Sequence, residues 1–311
     1  MNQPRPATAA SAASTISVRP VILPAPGRGE DLQVRVSTPA TGGDLPLVVF
    51  SHGFGFSMDG YGPLADHWAA NGFVVVQPTH LDSATLGLAP DDPRTPRIWR
   101  YRVEDFVRVL DGLDLIEASV PGLTGRIDRG RIAAAGHSYG ATTASALLGA
   151  RVLGPESHDG EDFSDPRVRA GVLLSVPGTG GENLTAFAAQ FFPFMHPSFE
   201  AMTRPVLIAA GDNDQSPLTT RGPDWFTDAY TLSPGEKHLV TVIGAEHGLG
   251  GVHAYGGMPM TPAENLAQVA LVQQVTTAYL RSALGGGDED WTTVRASLSG
   301  GDNPIGRLES K

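Results

Sequence analysis

Short apolar runs alternate with helical segments along most of the chain, and this alternation limits the fold more than any other feature. Runs such as LPLVVFS at 45–51 and RPVLIAA at 204–210 are typical of strands buried on both faces. Further strands are expected at 73–77, 132–135, 168–176 and 238–243, and helices at 61–71, 101–118, 141–148 and 262–284. Strands separated by helices predict an α/β fold, with a mostly parallel central sheet and helices on both of its faces.

The alternating pattern indicates one domain rather than two. The 311 residues would allow about two domains, but neither an internal repeat nor a linker interrupts the pattern. We expect a folded domain over 16–284 that opens with an antiparallel hairpin, a disordered leader at 1–15, and a Gly- and Asp-rich tail at 285–311. A short cap segment is expected at about 178–203.

Composition excludes several classes of function. The net charge of −11 argues against nucleic acids and anionic membrane surfaces as partners, because neither attracts an acidic protein. The absence of cysteine excludes disulfides, thiolate zinc sites and cysteine nucleophiles. No run is long and apolar enough for a membrane span, and the Ala-, Ser- and Thr-rich start lacks the apolar core of a secretion signal. A cytoplasmic location is therefore expected, although a processed secreted form would look the same, and nothing indicates the oligomeric state.

The stretch AAAGHSYGA at 133–141 places a lone serine between two glycines, in the pattern Gly-x-Ser-x-Gly. An apolar strand precedes it and a helix follows it, so the chain must reverse sharply at Ser138. Gly136 and Gly140 lack side chains, which would let the strand and the helix approach each other closely. Such a turn exposes the Ser138 hydroxyl beside the positive end of a helix dipole, the arrangement of a nucleophile elbow.

Three other strand ends carry residues that a serine nucleophile needs. The strand at 45–51 runs into His-Gly-Phe-Gly, the strand at 204–210 into Gly-Asp-Asn-Asp, and the strand at 238–243 into Gly-Ala-Glu-His. Since functional groups collect at the carboxyl ends of parallel strands, these segments are expected to lie near Ser138. Their order along the chain, with an oxyanion turn, serine, acid and histidine, is that of the α/β-hydrolase triad.

Each expected catalytic role follows from the chemistry of ester cleavage. His247 would take the proton of Ser138 as the hydroxyl attacks and later protonate the leaving alcohol. Asp214 is favoured over Asp212 as the acid that orients His247, and Asp212 is interpreted as a turn-capping residue. The backbone N–H groups of Phe54 and Tyr139 are expected to form the oxyanion hole.

These segments resemble the α/β-hydrolase superfamily over 16–284. More narrowly, the chain is similar to the bacterial branch of predicted dienelactone hydrolases, which is related to platelet-activating-factor acetylhydrolases and chlorophyllases. The similar segments are LPLVVFSHGFG, YRVEDFVRVLDGL, AAGHSYGA, DPRVRAGVLLS and SPGEKHLVTVIGAEHG. The resemblance implies a serine esterase. True dienelactone hydrolases use a cysteine nucleophile, which this chain lacks, so their particular reaction is not implied.

Substrate contacts are expected from the aromatic-rich cap segment. Phe191, Phe192 and Phe194 are candidate pocket residues, and His253 is a further candidate in a glycine-rich loop after His247. Three of the other histidines receive structural interpretations. They are His52 and His137, expected to bond nearby backbone in tight turns, and His80, expected as an exposed loop residue.

Together these features predict a serine carboxylic-ester hydrolase that acts on apolar acyl or aromatic esters through an acyl-enzyme. No cofactor and no metal site is expected. The alternatives left open are another serine acyl hydrolase, such as a polyester hydrolase, thioesterase or lactonase, and a catalytically silent hydrolase fold that serves as a binding protein.

Overall fold

The computed structural model describes residues 14–89, 91–154, 157–253, 265–300 and 303–311. In these ranges the strands are β1 (Thr15–Leu23), β2 (Leu32–Pro39), β3 (Leu45–Ser51), β4 (Val74–Pro78), β5 (Ile127–His137), β6 (Arg151–Gly154), β7 (Ser157–Glu161), β8 (Val168–Leu174), β9 (Pro197–Ser198), β10 (Val206–Gly211), β11 (Lys237–Val242) and β12 (Gly306–Ser310). The α-helices are α1 (Gly62–Ala70), α2 (Ile98–Asp111), α3 (Leu113–Ser119), α4 (Tyr139–Leu147), α5 (Ala186–Phe191), α6 (Asp228–Thr231), α7 (Leu266–Ala283) and α8 (Glu289–Ser299).

Nine of these strands form one sheet in the order β1-β2-β4-β3-β5-β8-β10-β11-β12. The six strands from β4 to β11 pair in parallel, whereas β1, β2 and β12 join the two ends of the sheet in antiparallel pairs. The protein therefore has the predicted α/β-hydrolase architecture. Because β3, β5, β10 and β11 run in parallel, the segments that follow them emerge at the same edge of the sheet.

The central strands are mostly apolar, because helices cover both faces of the sheet. Along β3, Leu47 and Val49 enter the core beneath α2, α3 and α4, while Val48 and Phe50 enter the opposite core beneath α1, α7 and α8. Side chains of a strand point alternately to its two faces, so a strand buried on both sides needs apolar residues throughout. The apolar runs in the sequence reflect this double burial.

The expected helix at 101–118 is two helices, α2 and α3, which meet at Gly112. A Cβ at Gly112 would lie 3.2 Å from the Leu23 side chain and 3.0 Å from the Arg108 carbonyl oxygen. These distances are tighter than most Cβ contacts, so glycine eases the close approach of β1, and the backbone of Gly112 leaves the helical conformation there (φ −90°, ψ 10°). The apolar spacing continues across the break, which is why the sequence pattern indicates one helix.

The segment 285–311, expected as a tail, contains α8 and β12. Strand β12 pairs antiparallel with β11, from His238 opposite Ser310 to Val242 opposite Gly306. Helix α8 buries Trp291, together with Val294 and Leu298. The apolar residues of this segment are few and separated by Gly and Asp, so their pattern resembles that of an unstructured end.

The other expected boundaries fall partly outside the described residues. Of the expected leader at 1–15, residues 14 and 15 are described, and Thr15 begins β1. Helix α7 begins at Leu266, where the Asn265 side chain accepts hydrogen bonds from the first turn, and the expected start at 262–264 lies outside the description. Within the expected cap segment, α5 and β9 are described, and β9 joins a small sheet of order β7-β6-β9 that the sequence does not predict.

Candidate active site

Ser138 lies in a sharp turn between β5 and α4. Its backbone has φ 55° and ψ −122°, a conformation that residues other than glycine seldom adopt. A Cβ at Gly136 would lie 2.2 Å from the Gly140 carbonyl oxygen, and a Cβ at Gly140 would lie 2.0 Å from the Ser51 carbonyl oxygen. The two glycines of the motif thus permit the contact of β5, α4 and β3 that presents Ser138 at the edge of the sheet.

The side chains of Ser138, His247 and Asp214 form a continuous series of hydrogen bonds. The Nε2 atom of His247 lies 2.8 Å from the Ser138 hydroxyl. Its Nδ1 atom lies 2.9 Å and 3.2 Å from the two carboxylate oxygens of Asp214. Asp214 is fully buried, whereas 36% of the His247 side chain is exposed. A buried carboxylate behind a histidine that reaches a serine hydroxyl is the geometry required for general-base activation of the serine.

Asp212 lies in the same turn as Asp214 but serves a different contact. Its exposed carboxylate accepts a hydrogen bond from the backbone N–H of Gly244 at 2.6 Å. This bond ties the turn after β10 to the turn after β11. Of the two aspartates considered from the sequence, Asp214 is therefore the one in contact with His247.

The backbone N–H groups of the turn after β3 differ in whether they have a hydrogen-bond partner. The N–H of Gly53 donates to the Tyr61 hydroxyl at 3.0 Å, and that of Gly55 donates to the Asp82 carboxylate at 3.3 Å. The N–H of Phe56 donates to the Gly53 carbonyl oxygen at 3.3 Å. Within the described part of the chain, the N–H of Phe54 makes no such bond, so it can serve a ligand.

The second expected donor, Tyr139, is the first residue of α4. The first N–H groups of a helix have no partner within the helix and carry the positive end of its dipole. A backbone donor at this position, directly after Ser138, suits a negative oxygen formed at the serine. The oxyanion hole formed by Phe54 and Tyr139 stays a prediction.

A buried arginine holds the turn that carries Phe54. Arg102, on α2, donates from Nη1 to the His52 carbonyl oxygen at 2.8 Å and from Nη2 to the Gly53 carbonyl oxygen at 3.3 Å. The His52 side chain donates from Nδ1 to the same Gly53 oxygen at 2.7 Å. Because the Gly53 carbonyl and the Phe54 N–H belong to one planar trans peptide, fixing the carbonyl also fixes the direction of the N–H.

Asp82 keeps Arg102 paired inside the protein. Its two carboxylate oxygens each accept a hydrogen bond from the guanidinium at 2.8 Å, and both side chains are almost completely buried. Burial alone would raise the pKa of Asp82, but the adjacent Arg102 outweighs it and holds that pKa below its usual range. The carboxylate therefore stays ionised and holds Arg102 in place for its hydrogen bonds to the turn.

His80 is buried, and the expectation that it is an exposed loop residue is wrong. Its ring lies beside the oxyanion turn, 2.9 Å from the Ser51 hydroxyl and 3.0 Å from the Asp105 carboxylate. Arg28 also donates to Asp105, at 2.8 Å. Burial, with a further contribution from Arg102, lowers the pKa of His80 well below its usual value. A strand-end histidine next to an aspartate looks exposed in the sequence because its partners lie on distant segments.

The candidate pocket residues differ in position and surroundings. Phe194 stacks on Tyr139 with ring centroids 5.3 Å apart, and both line a small pocket with Trp99 and Thr142. Phe192 packs on Phe194 and against the core. The Phe191 side chain is 57% exposed.

His253 lies on another side of the site, where its ring packs against Phe56 at 5.7 Å. Phe56 belongs to the segment directly after the oxyanion turn. His253 also lies close to Gly248, since a Cβ at Gly248 would be 2.6 Å from the His253 ring. It therefore packs between the oxyanion turn and the loop of His247, and a contact with substrate stays a prediction.

Sequence reasoning did not assign Tyr61, Asp82 or Arg102 to the site. Their contacts bridge long separations, such as the 50 residues between Arg102 and His52. The only signal in the sequence is a pair of charged residues, Arg102 and Asp105, on the otherwise apolar face of α2, where both are buried. Charges on the buried side of a helix need partners, which could have directed attention to them.

The described residues contain neither a membrane-spanning helix nor a cluster of metal-binding side chains. No helix there combines the length and apolar character needed to cross a membrane. No three or more His, Asp or Glu side chains in those ranges are grouped as a metal site.

The first half of the chain matches a known protein family. A model of the chlorophyllase family matches residues 16–153. This confirms the resemblance to the α/β-hydrolase serine esterases, and the match supports an ester hydrolase in general. It begins in β1 and ends in β6, so it includes Ser138 and the oxyanion turn, whereas Asp214 and His247 lie beyond it.

Proposed function

We propose that the protein is a serine carboxylic-ester hydrolase with Ser138 as nucleophile, His247 as general base and acid, and Asp214 as the residue that orients His247. The observation that carries this proposal is the unbroken hydrogen-bond series from the buried Asp214 through His247 to Ser138. The match to the chlorophyllase family over 16–153 supports the same class of reaction.

The proposed proton path follows these contacts. Asp214 accepts the Nδ1 hydrogen of His247, which leaves the Nε2 lone pair directed at the Ser138 hydroxyl. As the serine oxygen bonds to the ester carbonyl carbon, its proton passes to Nε2 and negative charge develops on the carbonyl oxygen. The N–H groups of Phe54 and Tyr139 stabilise that charge. The protonated His247 then donates to the leaving alcohol, and water releases the acid from Ser138 by the same steps.

The proposed substrates are esters with a small apolar or aromatic acyl part. Phe194, Tyr139 and Trp99 line a small pocket along the first turns of α4, the helix that begins directly after Ser138. Arg102 lies next to this lining but is fully occupied by Asp82 and by backbone carbonyls, so it offers no free charge for an anionic substrate. Apolar surface without an available cation favours neutral esters over charged ones.

A panel of nitrophenyl esters, thioesters and lactones tests the proposal. We expect the wild type to hydrolyse short nitrophenyl esters, a fluorophosphonate to label Ser138 stoichiometrically, and Ser138→Ala to abolish both. Ser216→Ala, on the turn beside Asp214, is the matched control and should keep full activity. Hydrolysis that persists in Ser138→Ala, or labelling of another serine, would contradict the assignment. Preference for the thioesters or lactones would move the protein to one of those classes.

A further inference from the structure

A second hydrogen-bond series links the oxyanion turn to the loop of His247 without passing through the nucleophile. The Gly53 N–H donates to the Tyr61 hydroxyl at 3.0 Å, and that hydroxyl lies 2.9 Å from Nδ1 of His137. The Nε2 atom of His137 lies 2.7 Å from the carbonyl oxygen of His247. The series thus joins the end of β3, the start of α1, the residue before Ser138 and the loop after β11.

The donors and acceptors of this series have one consistent assignment. The His247 carbonyl can only accept, so Nε2 of His137 carries the hydrogen and Nδ1 is left as an acceptor. The Tyr61 hydroxyl therefore donates to Nδ1, and its oxygen is free to accept from Gly53. Burial lowers the pKa of His137 well below its usual value, which keeps the ring in this neutral form. Every bond of the series is satisfied inside the protein.

The two ends of the series are the backbone groups that control the proposed catalytic atoms. Gly53 precedes Phe54, whose N–H is the proposed oxyanion donor. At the other end, the His247 carbonyl also accepts from the Ser175 hydroxyl at 3.0 Å, so two donors hold the backbone of the base. Gly53 and Tyr61 are tightly packed, since a Cβ at Gly53 would lie 2.8 Å from the Tyr61 hydroxyl.

We propose that Tyr61 and His137 are positioning residues that hold the oxyanion turn and the base His247 in fixed relative positions. This inference rests on the proposed esterase function. Both side chains bond to the backbone, Tyr61 at Gly53 and His137 at His247, and the His137 ring also packs against the His247 ring with centroids 5.0 Å apart. The transition state needs the Phe54 N–H and His247 Nε2 at the same time. A displacement of about 1 Å in such an arrangement can cost about 100-fold in rate.

Tyr61→Phe tests the proposal because it removes the hydroxyl and keeps the ring. The ring packs on Phe50 and Phe56, with centroids 4.8 Å and 5.5 Å away, and these contacts do not need the oxygen. We expect kcat for a nitrophenyl ester to fall about 10- to 100-fold, with KM changed by less than about threefold, because the lost bond serves the transition state.

Tyr279→Phe is the matched control. Tyr279 is also a buried tyrosine, and its hydroxyl has no hydrogen-bond partner within the described residues. It packs against His238 and Trp291, away from the site. Removing this hydroxyl should leave kcat and KM unchanged. A fall in kcat common to both variants would assign the effect to general loss of packing and would overturn the proposal.

His137→Gln provides the second variant. Glutamine can still donate to the His247 carbonyl but offers no acceptor at the Nδ1 position, so it breaks the series beside Tyr61. We expect a similar loss of kcat, and the double variant Tyr61→Phe/His137→Gln should lose little more than the worse single variant. Losses that multiply in the double variant would mean that the two residues act separately, and the proposal would fail.

The wild type separates this inference from the proposed function. A wild type that neither hydrolyses esters nor reacts with a fluorophosphonate would overturn the esterase assignment and the inference with it. An active wild type, with both single variants folded and retaining full kcat, would overturn the inference alone. The rate of fluorophosphonate labelling at Ser138 should fall in parallel with kcat in both variants, since phosphonylation uses the same base and donors.

Discussion

Gly140→Ala is expected to cost more in catalysis than in stability. A Cβ at this position would lie 2.0 Å from the Ser51 carbonyl oxygen and 2.6 Å from that of His52, both at the end of β3. Side-chain Cβ atoms essentially never approach another heavy atom closer than 3.0 Å, so the backbone must separate by about 1 Å. The atoms in contact are backbone atoms, which cannot rotate away as a flexible side chain would.

Two opposing contributions determine the change in the free energy of unfolding. Overpacking of this kind typically costs about 1–3 kcal/mol. Gly140 lies inside α4 without a positive φ, so alanine recovers up to about 1 kcal/mol of helix propensity. The net destabilisation should be about 1–2 kcal/mol. Catalysis has no such compensation, because the displaced end of β3 leads directly into the turn that carries Phe54. A shift of this size predicts a loss of about 100-fold in kcat/KM.

Urea unfolding and nitrophenyl ester hydrolysis measure the two quantities on the same preparation. Gly300→Ala is the matched control, because its backbone has φ −76° and a Cβ there would meet nothing within 4 Å. That variant should differ from the wild type by less than about 0.5 kcal/mol and keep full activity. A Gly140→Ala enzyme with wild-type kcat/KM would refute the argument that this contact sets the position of the oxyanion turn.

Three further predictions address the acid, the pocket and the buried histidines. Asp214→Asn should lower kcat about 10,000-fold, because the wrong histidine tautomer is then held, whereas Asp212→Asn should change kcat by less than tenfold. The reverse result in kinetic assays would move the role of the acid to Asp212. Phe194→Ala should change the preference between short and longer acyl chains several-fold per carbon pair, because each buried methylene contributes about 0.8 kcal/mol. Phe191→Ala should leave this preference unchanged, and equal selectivity in the two variants would remove Phe194 from the pocket. Burial lowers the pKa of His52, His80 and His137 and keeps these side chains neutral in the fold. The unfolded chain protonates its histidines below about pH 6.5. As the pH is lowered further, the free energy of unfolding should therefore decrease by up to about 1.4 kcal/mol per pH unit for each of the three. In urea titrations at several pH values, His137→Gln should reduce this slope by about one proton, and an unchanged slope would show that His137 is protonated in the fold.

The central sheet could be predicted from the sequence because its strands are buried on both faces. A strand such as β10 has no polar position, so its apolar run is visible without knowledge of its neighbours. The edges of the sheet gave a weaker signal. Strand β12 reads GRLES and buries only alternate residues, so it does not stand out from a polar chain end. The small sheet was missed because its strands are short, and β9 contains only two residues.

The proposed site divides in a similar way. Ser138 lies in a local pattern with two glycines, and His247 and the aspartates follow recognisable strands, so all of them could be proposed from the sequence. Arg102 and Tyr61 could not, because their roles depend on contacts made 50 and 76 residues away, with His52 and His137 respectively. Hydrogen bonds between distant segments leave no periodicity in the sequence. The catalytic roles themselves stay predictions until they are measured.

The position of β12 has a practical consequence for shortened forms of the protein. Strand β11 carries the segment that leads to His247, and β12 is its outer neighbour in the sheet. A protein cut after residue 284 would expose the N–H and C=O groups along one side of β11, whose sequence is KHLVTV. An uncovered strand edge of this composition is a template for pairing with another chain, so such a truncation should aggregate rather than give a smaller enzyme. A fusion partner at the C-terminus would best follow a flexible spacer, so that the last strand can still close the sheet.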